Sequence, residues 1–501
     1  MASRRDQAQA YRFLTRRQTT SLLRGDPDSP DAPTRKLNVT MLCGLLIAVL
    51  VAGGCWVFGL LVPAHSDAWR KGKALIVEKG TSSRFVYAGG RLHPVLNYAS
   101  ARLLFGGNGL TVAHVNAASL RGVPRGLPVG IPGAPDEIPR PSALLAAPWT
   151  ACSYPATNAA GAVQPYVRLT LGGRPAGARL PRGRGLLVAA PDGTEYLIWN
   201  DQRFRLASAS AVVALGYASA RPLPVGAGWL GTVPQGPDLA PPPLGAAGAA
   251  APPVGTRPAR IGQVFSVAGA GTGTQFYVAF GDGLAPVTAT QADLILGDPA
   301  TRPAYPGGAV AAIPLGPGEL SAGTFSAQNP ARVSGLPDTP PTLLGSTSGA
   351  VAVCSSFTDA SGSSVDVAIR ALPLTPQQLA GTPPGTSPVA DEGGPVADQV
   401  VVPAGHGAVV RALPAPGVPA GTTYLVTDLG MKFPLTSPDL LTALGLPAVP
   451  LTPVPTGVLQ LLRTGPRLDT RDAAQTVAVL PDQNGTPRPQ IPVPAATPNA
   501  A

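Results

Sequence analysis

The sequence is poor in charged and aromatic residues. Asp, Glu, Lys and Arg together make up 13% of its 501 residues, and Phe, Trp and Tyr make up 5%. The net charge of +10 is not gathered into the basic face with neighbouring aromatics that nucleic-acid-binding domains carry. We therefore expect no nucleic-acid partner. The one basic cluster is residues 1–40, with eight Lys and Arg against four Asp.

Histidine is scarce as well. The four histidines, His65, His93, His114 and His406, lie far apart, whereas a zinc site needs several ligands at close spacing. No H-E-x-x-H motif is present, and the few carboxylates form no conspicuous pair. The sequence therefore predicts no metal and no cofactor. His93 is expected to pack in the fold or to bond to the backbone.

A phosphate-binding loop is also missing. Such a loop needs glycines whose amides surround the phosphates, together with Lys and Ser or Thr. The run AGAGTGTQF (268–276) has no Lys, and EKGTSSRF (78–85) has no glycine loop before its Lys. GSTSG (345–349) has Thr where a G-x-S-x-G hydrolase elbow has Ser. These patterns favour a non-enzymatic protein and leave ATP hydrolysis as an alternative.

Gly and Pro are abundant instead, at 60 residues each, while hydrophobic residues reach 45%. This combination predicts ordered modules joined by Pro- and Gly-rich connections rather than a disordered chain. The clearest predicted connections are 232–260 and 372–395. Residues 481–501 have too little apolar content to fold, so we predict a disordered tail there.

The strongest local feature is an uncharged, proline-free run of 21 residues, LCGLLIAVLVAGGCWVFGLLV (Leu42–Val62). At a rise of about 1.5 Å per residue, such a helix crosses the roughly 30 Å hydrocarbon core of a bilayer. We predict a transmembrane helix at 41–62, between a cytoplasmic arm (1–40) and a large extracytoplasmic domain (63–480). A buried core helix and a cleaved signal peptide are the alternatives.

The cysteines bear on orientation. Cys43 and Cys55 lie in the span, and Cys152 and Cys354 are the only cysteines after it. One pair in a domain of this size is typical of a disulfide formed in an oxidising compartment; two unrelated buried thiols are the alternative. Basic residues are nearly balanced on the two sides of the span, so the positive-inside rule does not decide. The pair favours an extracytoplasmic C-terminal domain.

The arm contains a predicted helix, RDQAQAYRFLTRRQTTSLLRG (5–25). Apolar side chains are interspersed with arginines along it. Three interpretations stay open. The helix is solvated, or it lies against anionic headgroups, or it docks on cytoplasmic partners through Arg12, Phe13, Arg16 and Arg17.

Four later segments resemble one another. Each predicts a strand, a turn, a second strand and a short helix, and we place the repeats near 84–104, 194–217, 274–297 and 422–446. The similar runs are FVYAGGRLHPVLNYASARLL from Phe85, YLIWNDQRFRLASASAVVAL from Tyr196, FYVAFGDGLAPVTATQADLIL from Phe276 and YLVTDLGMKFPLTSPDLLTAL from Tyr424.

The predicted turns carry residues that tolerate positive φ, as hairpin turns require. One such unit is too small to bury its apolar face, so we expect the units to pack around a further domain or to form two pairs. The turn residues are Gly89, Gly90, Asn200, Asp201, Asp282, Gly283, Asp428 and Gly430, and the expected helix N-caps are Asn97, Ser208, Thr290 and Ser437.

Residues 140–190 and 300–370 supply the other predicted strands. Runs such as VRLTLGG, RGLLVAAP and SVDVAIRAL alternate enough for strands. We expect them to form a β-rich central body, tied together by Cys152 and Cys354 if these pair.

Several motifs, in order, are those of a known family. They are the arm YRFLTRRQTTSLLRGD, the apolar span, the run AWRKGKALIVEKGTSSRFVYAGGRLHPVLNYASARLLFG, PWTAC around Trp149 and Cys152, and, towards the C-terminus, GHGAVVRALP, TYLVTDLGMKFPLTSPDLLTALG and TGPRLD. With these motifs the chain resembles the EccB family, the single-pass core component of mycobacterial-type (type VII) secretion machinery.

The resemblance implies an α+β fold in which a single transmembrane helix precedes an elongated extracytoplasmic domain with four repeats around a β-rich central core. It implies that residues 1–40 are cytoplasmic and contact other membrane components, namely the EccC-type motor ATPase, EccD and EccE. Residues 63–501 would then lie in the periplasm and associate with one another. A disulfide between Cys152 and Cys354 would match the family pattern.

The implied function is that of a structural subunit, anchored in the inner membrane, that helps to assemble a protein export channel. Two alternatives remain. Some family members are labelled ATP hydrolases, and the exposed turns of four repeats would also suit an envelope module that binds the cell wall.

Overall fold

The computed structural model describes most of the chain. The described residues form two compact units, residues 1–83 with 112–123, and residues 84–111 with those after 123. The predicted tail 481–501 and the predicted connection 372–395 beyond residue 375 lie outside the described residues. The residues that the structure describes are 3–24, 33–61, 67–70, 73–106, 110–157, 163–173, 177–269, 273–327, 329, 331, 333–345, 350–359, 365–375, 396–415, 418, 421–447 and 449–477.

The secondary structure is mixed, with many short strands and few long helices. The helices are α1 (Arg4–Arg24), α2 (Pro33–Leu61), α3 (Tyr98–Phe105), α4 (Ala117–Leu120), α5 (Ala209–Ala214), α6 (Ala227–Thr232), α7 (Ala289–Gly297), α8 (Pro317–Ser321), α9 (Leu440–Leu444), α10 (Thr456–Leu459) and α11 (Thr470–Ala473), with 3₁₀ turns at Asp67–Arg70, Pro141–Ala143 and Pro299–Ala304. The strands are β1 (Ala74–Lys79), β2 (Arg84–Ala88), β3 (Arg91–Pro94), β4 (Thr111–Asn116), β5 (Trp149–Thr157), β6 (Val163–Leu171), β7 (Ala178–Arg179), β8 (Arg184–Ala189), β9 (Glu195–Trp199), β10 (Gln202–Arg205), β11 (Leu223–Pro224), β12 (Ala250–Val254), β13 (Arg257–Arg260), β14 (Val264–Gly269), β15 (Gly273–Phe280), β16 (Gly283–Val287), β17 (Ile313–Leu315), β18 (Thr342–Leu343), β19 (Val351–Asp359), β20 (Val365–Pro373), β21 (Gln399–Val401), β22 (Ala408–Leu413), β23 (Thr423–Val426), β24 (Met431–Leu435), β25 (Thr452–Pro455) and β26 (Arg463–Thr464).

The first unit begins with two long helices, α1 and α2. Within α2, the 20 residues Asn38–Val57 have a mean hydropathy of 2.2, and none of this window is buried. An apolar helix of this length without protein around it has the properties that a bilayer requires. The unit also contains β1 and β4, which are neighbours in a sheet, and α4.

A six-stranded sheet in the order β21-β6-β5-β19-β20-β7 organises the second unit. Its four long strands, β5, β6, β19 and β20, are antiparallel neighbours and lie in the regions 140–190 and 300–370 that predicted a central body. The run RGLLVAAP forms β8, which lies outside this sheet. It pairs with β9 across a tight turn between Ala190 and Thr194, and in parallel with β11 and with β18 of the region 300–370.

Each of the four similar segments forms two antiparallel strands followed by a helix. In the last three, the first hairpin strand also pairs with a strand that precedes it, namely β8, β14 or β22. That preceding strand pairs in parallel with a strand that follows the helix, namely β11, β17 or β25. The sequence predicted the hairpins and helices but not the flanking strands.

A recurring contact joins each hairpin to the chain that returns after its helix. A Cβ placed on Gly126, Gly236 or Gly465 would lie 2.3 to 2.4 Å from the ring of His93, Phe204 or Phe433, respectively. The third segment has the smaller Ala285 at the matching position of β16, and Ser326 on its returning chain. Nδ1 of His93 lies 2.9 Å from the carbonyl oxygen of Leu127, which confirms the packing role expected for this histidine.

The segment helices pack in pairs, α3 with α9 and α5 with α7. Arg102 of α3 donates from Nε to the carbonyl oxygen of Ala443 at 3.3 Å. A Cβ on Gly297 of α7 would lie 2.3 Å from the Cβ of Ala214 of α5, so these helices approach closely. Side chains of the second and fourth segments share a hydrophobic cluster with the central sheet.

Two of the four predicted helix N-caps are confirmed. The side chains of Asn97 and Ser208 accept hydrogen bonds from the first turns of α3 and α5. Thr290 was wrong, because Thr288 forms a capping box with Gln291 and thereby starts α7 two residues earlier. Ser437 was wrong as well, because its hydroxyl accepts from the N–H of Asp439 in a local turn and α9 begins only after it.

The Pro- and Gly-rich stretch 232–260 holds defined structure. Leu239 is fully buried and forms a bridge with Leu206 beside β10. Further along, β12 and β13 form a hairpin with Val254 buried. Aliphatic side chains spaced among the prolines bring this stretch against the second and third segments.

Candidate functional site

Cys152 and Cys354 form a disulfide between β5 and β19. The two residues are directly opposite each other in the antiparallel register, and both are buried. The predicted pairing is therefore confirmed. Because the bond closes a loop of 202 residues, it restricts the unfolded chain by an amount worth about 5 kcal/mol in the chain-entropy model.

Two arginines flank this disulfide on the same row of the sheet. Arg168 of β6 is opposite Cys152, and Arg370 of β20 is opposite Cys354. Nε of Arg168 donates to Oε1 of Gln399 at 2.6 Å, and Nη1 of Arg370 donates to a backbone carbonyl at 3.0 Å. Each guanidinium is therefore held by the sheet, and the row belongs to the structural core.

The other side of the central sheet is apolar. Trp149 and Trp229 are almost completely buried there. Helices α6 and α10 meet closely over it, since a Cβ on Gly457 would lie 2.2 Å from the carbonyl oxygen of Gly231. Close packing of this kind fixes the second and fourth segments on the sheet.

The predicted turn residues lie between the strands of their hairpins, except Gly283, which is the first residue of β16. Gly89, Gly90, Asn200, Asp201, Gly283 and Gly430 have φ values between 47° and 139°, whereas Asp282 and Asp428 do not have positive φ. At Gly283 space is restricted too, since a Cβ would lie 2.5 Å from the carbonyl oxygen of Thr324. Glycine is thus required there by conformation and by contact.

The carboxylates of three turns are occupied by contacts within the fold. Oδ1 of Asp201 accepts from the N–H of Ile369 in β20 at 2.7 Å. Asp282 accepts from the hydroxyl of Ser326 at 2.8 Å, and Asp428 accepts from a backbone N–H at 2.8 Å. These acids hold the turns against neighbouring chain, so the geometry speaks for structural turns rather than for ligand-binding ones.

Lys432 is a buried cation that sequence reasoning missed. It is 8% exposed, and its Nζ donates to the carbonyl oxygens of Leu459 and Leu462 at the end of α10. Burial lowers the pKa of Lys432 to about 8. Aligning the four segments would have shown this position, because Lys432 stands where the first and third segments have the buried Leu92 and Leu284.

The predicted contact residues of the arm lie on α1. Arg12, Arg16 and Arg17 are exposed, and Phe13 is 64% exposed. At about 100° per residue they do not share one face of the helix. Their role as partner contacts stays a prediction.

The two glycine-containing runs inspected for phosphate binding lie between strands. AGAGTGTQF joins β14 to β15, which pair in an antiparallel hairpin. EKGTSSRF extends from the end of β1 to the start of β2, and its turn is closed by a hydrogen bond from the N–H of Glu78 to the carbonyl oxygen of Ser83. A phosphate-binding loop leads into a helix N-terminus, and neither run does so.

Within the part of the chain that the structure describes, these features define a class of protein: a β-rich body with a buried disulfide, preceded in the chain by one apolar helix of membrane-spanning length. A family model described as type VII secretion system ESX-1, transport TM domain B, matches residues 1–482. The chain therefore belongs to the EccB family of type VII secretion systems, and the resemblance seen in the sequence is confirmed.

Individual relatives agree with this assignment. The chain is 31% identical over 491 residues to the protein named ESX-3 secretion system ATPase EccB3 of Mycolicibacterium smegmatis, covering 94% of this chain and 90% of that protein. It is 30% identical over 296 residues to the protein named ESX-1 secretion system ATPase EccB1 of Mycobacterium tuberculosis, covering 57% of this chain and 59% of that protein.

Solved structures show the same fold. An EccB3 dimer from the ESX-3 core complex matches with a TM-score of 0.57 at 29% identity, covering 81% of this chain and 100% of that chain. A chain of an intact ESX-5 inner membrane complex matches with a TM-score of 0.59 at 22% identity, covering 97% of this chain and 98% of that chain.

Proposed function

We propose that this EccB protein is a structural subunit that anchors and helps to build the export channel of a type VII secretion complex in the inner membrane. The observation that carries the proposal is the union of α2, an apolar helix with no buried residues in its 20-residue span, with a large disulfide-linked β-rich body. The apolar helix suits a bilayer, and the β-rich body suits assembly with other subunits.

The proposed orientation places α1 in the cytoplasm and residues 63–480 in the periplasm. Its support is the buried Cys152–Cys354 bond, because disulfides of this kind form and persist outside the reducing cytoplasm. Cys43 and Cys55 are free and exposed on α2, where a bilayer would surround them.

We further propose that the four hairpin–helix segments are copies of one unit arranged around the central sheet. The shared strand order of the last three supports this, and so does the contact between the second hairpin strand and the returning chain. That contact pairs a ring with a glycine in three segments and Ala285 with Ser326 in the other. A large ring opposite a glycine, or two small side chains opposite each other, fill the same space. Such compensation between two positions is expected of units that descend from a common fold.

The partners proposed from the family are the EccC-type motor ATPase, EccD, EccE and a second copy of this chain. The relative of solved structure that is described as an EccB3 dimer supports self-association. These partners are tested by purifying the tagged full-length protein in mild detergent and identifying the proteins that co-purify with it. A phosphatase reporter fused after residue 200 tests the orientation.

We expect the other membrane components to co-purify and the reporter to be active outside the cytoplasm. Recovery of the protein alone, with a phosphatase reporter that stays inactive, would contradict the proposal. Capture of peptidoglycan by the full-length protein, without any membrane partner, would instead favour an envelope module that binds the cell wall.

ATP hydrolysis is a second candidate because the named relatives are called ATPases. Each of the two glycine-containing runs is followed in the chain by a strand and not by the helix that a phosphate-binding loop needs. Full-length protein freed of the motor ATPase is therefore expected to show no turnover. Turnover that persists after this removal, and that elutes together with the protein from a sizing column, would support the second candidate.

A further inference from the structure

One side of α1 carries no charge along most of its length. Tyr11, Leu14, Gln18 and Leu22 recur at spacings of three or four residues and therefore line one side of the helix, here called the α1 stripe. Its apolar members are 74%, 58% and 85% exposed, in chain order. Large apolar side chains on a helix are rarely left in water without a partner surface.

Arginines lie on both flanks of the α1 stripe. At about 100° per residue, Arg12 falls on one flank and Arg17 falls on the other, while Arg16 lies on the opposite side of the helix near Gln9. In total, α1 contains six arginines and one acidic residue, Asp6. A helix with an apolar stripe between two arginine flanks is suited to the boundary between headgroups and acyl chains, because the arginines reach the phosphates.

The backbone of α1 satisfies its threonine hydroxyls. Thr15, beside the α1 stripe, donates to the carbonyl oxygen of Tyr11 at 2.7 Å, and Thr20 donates to that of Arg16 at 2.7 Å. The hydroxyl of Thr15 therefore needs no water, which lowers the cost of placing the stripe side of the helix in an interface. Thr20 lies on the opposite side of the helix.

The chain keeps α1 close to the membrane. Residues 25–32 separate α1 from α2, and eight extended residues reach about 28 Å. If α2 spans the bilayer, as the proposed function requires, α1 is held at a high local concentration near one leaflet.

We infer that α1 lies in the plane of that leaflet, with the α1 stripe at the headgroup boundary and its arginines on anionic phospholipids. The inference uses from the proposed function only that α2 spans a bilayer. Charge complementarity selects an anionic lipid surface, since the charge-free stripe is bordered by cations on both flanks. Each arginine near an anionic surface strengthens binding about five-fold.

The test uses full-length protein in nanodiscs with a fluorophore that brightens in an apolar environment. The free cysteines Cys43 and Cys55 are changed to Ala, and a single cysteine is placed by Gln18→Cys or Gln9→Cys. Both glutamines are exposed, and nine residues set them half a turn apart. The disulfide stays intact in both proteins.

We expect the Gln18→Cys label to brighten in discs containing phosphatidylglycerol, to brighten less in phosphatidylcholine, and to lose the gain in high salt. The Gln9→Cys label should stay in water. Arg12→Gln with Arg17→Gln, one arginine from each flank, should lower the ratio of bound to free helix by about twenty-five-fold. Phe13→Ser is the matched control, because Phe13 lies off the α1 stripe, and should change nothing.

Equal, water-like signals from both labels in anionic discs would overturn the inference. So would a Gln18→Cys signal that changes only after purified complex components are added, which would assign α1 to a protein partner. Both leaflets of a nanodisc have the same lipids, so these results do not depend on orientation. Failure here is thus distinct from failure of the reporter and co-purification tests.

Discussion

The ring of Phe204 occupies the space that a side chain at residue 236 would need. A Cβ on Gly236 would lie 2.4 Å from Cε1 of this ring, and Phe204 is fully buried. The contact joins β10 to the chain that returns after α6, and its counterparts recur at His93 and Phe433.

Gly236→Ser should therefore destabilise the protein by about 1–3 kcal/mol through overpacking. Phe204→Ala alone should cost about 3–5 kcal/mol. The double variant recreates the Ala285 and Ser326 pair of the third segment, so it should cost less than the sum of the two single changes. Denaturant unfolding of the three variants measures this coupling.

Gly231→Ala is the control for these glycine changes, since nothing lies within 4 Å of a Cβ there. Its unfolding midpoint should equal or slightly exceed that of the unchanged protein, because Ala is favoured over Gly in a helix where space allows it. Strictly additive costs for Phe204→Ala and Gly236→Ser would show that the two positions do not share one space.

Asp201 closes part of the outer edge of the central sheet. Its Oδ1 accepts from the N–H of Ile369, its Oδ2 lies 2.6 Å from Nη2 of Arg179, and its φ is 60°. Asp201→Gly keeps this backbone conformation but loses both contacts, so we expect a loss of about 1–2 kcal/mol and faster amide exchange at Ile369. Asp201→Asn keeps the acceptor and should lose less than about 0.5 kcal/mol. Slow exchange at Ile369 in the glycine variant would contradict this role.

Reduction of the Cys152–Cys354 bond should lower stability markedly. The chain-entropy model gives about 5 kcal/mol for a loop of this length, and measured losses are commonly about 2–5 kcal/mol. Thermal unfolding with and without reductant, and of Cys152→Ser with Cys354→Ser, measures the loss. Cys43→Ala with Cys55→Ala should leave the midpoint and its response to reductant unchanged.

The buried Lys432 predicts a rise of stability with pH. Burial lowers its pKa from the ordinary 10.5 to about 8, so between these values the unfolded chain binds the proton and the folded chain does not. The free energy of unfolding therefore increases as pH rises from about 8 towards 10.5. The expected gain over this whole range is on the order of 3 kcal/mol, since the pKa is lowered by about 2.5 units and one unit corresponds to about 1.4 kcal/mol.

Lys432→Met should remove this rise, because the variant has no charge to release. Lys79→Met is the control, since Lys79 is exposed at the end of β1. Unfolding midpoints at about pH 7.5 and about pH 9.5 provide the comparison, because most of the expected rise falls between them. An equal rise in the Lys432→Met variant would assign the pH dependence to other groups.

Local patterns were enough to predict the hairpins and two helix starts. Asn97 and Ser208 were found because a cap bonds to N–H groups three residues away. The prediction of Thr290 as an N-cap was wrong for an equally local reason, since Thr288 and Gln291 form a capping box with each other. Such errors are small because the competing residues are close in sequence.

Long-range pairings were beyond the sequence pattern. The three residues of β21 join β6 in parallel, with Gln399 opposite Arg168, and no local signal marks so short a strand. The buried position of Lys432 likewise depends on where the end of α10 arrives.

By itself, the sequence determined the apolar span, the places of the hairpin turns and the cysteine pair available for a bond, because each depends on the chemistry of residues that are near neighbours or few in number. Only the tertiary structure decided which strands flank each hairpin, which segments pair through their helices and which side chains the core encloses. These result from the free energy of packing distant parts of the chain together, to which every contact contributes a little and none is marked in the residues alone.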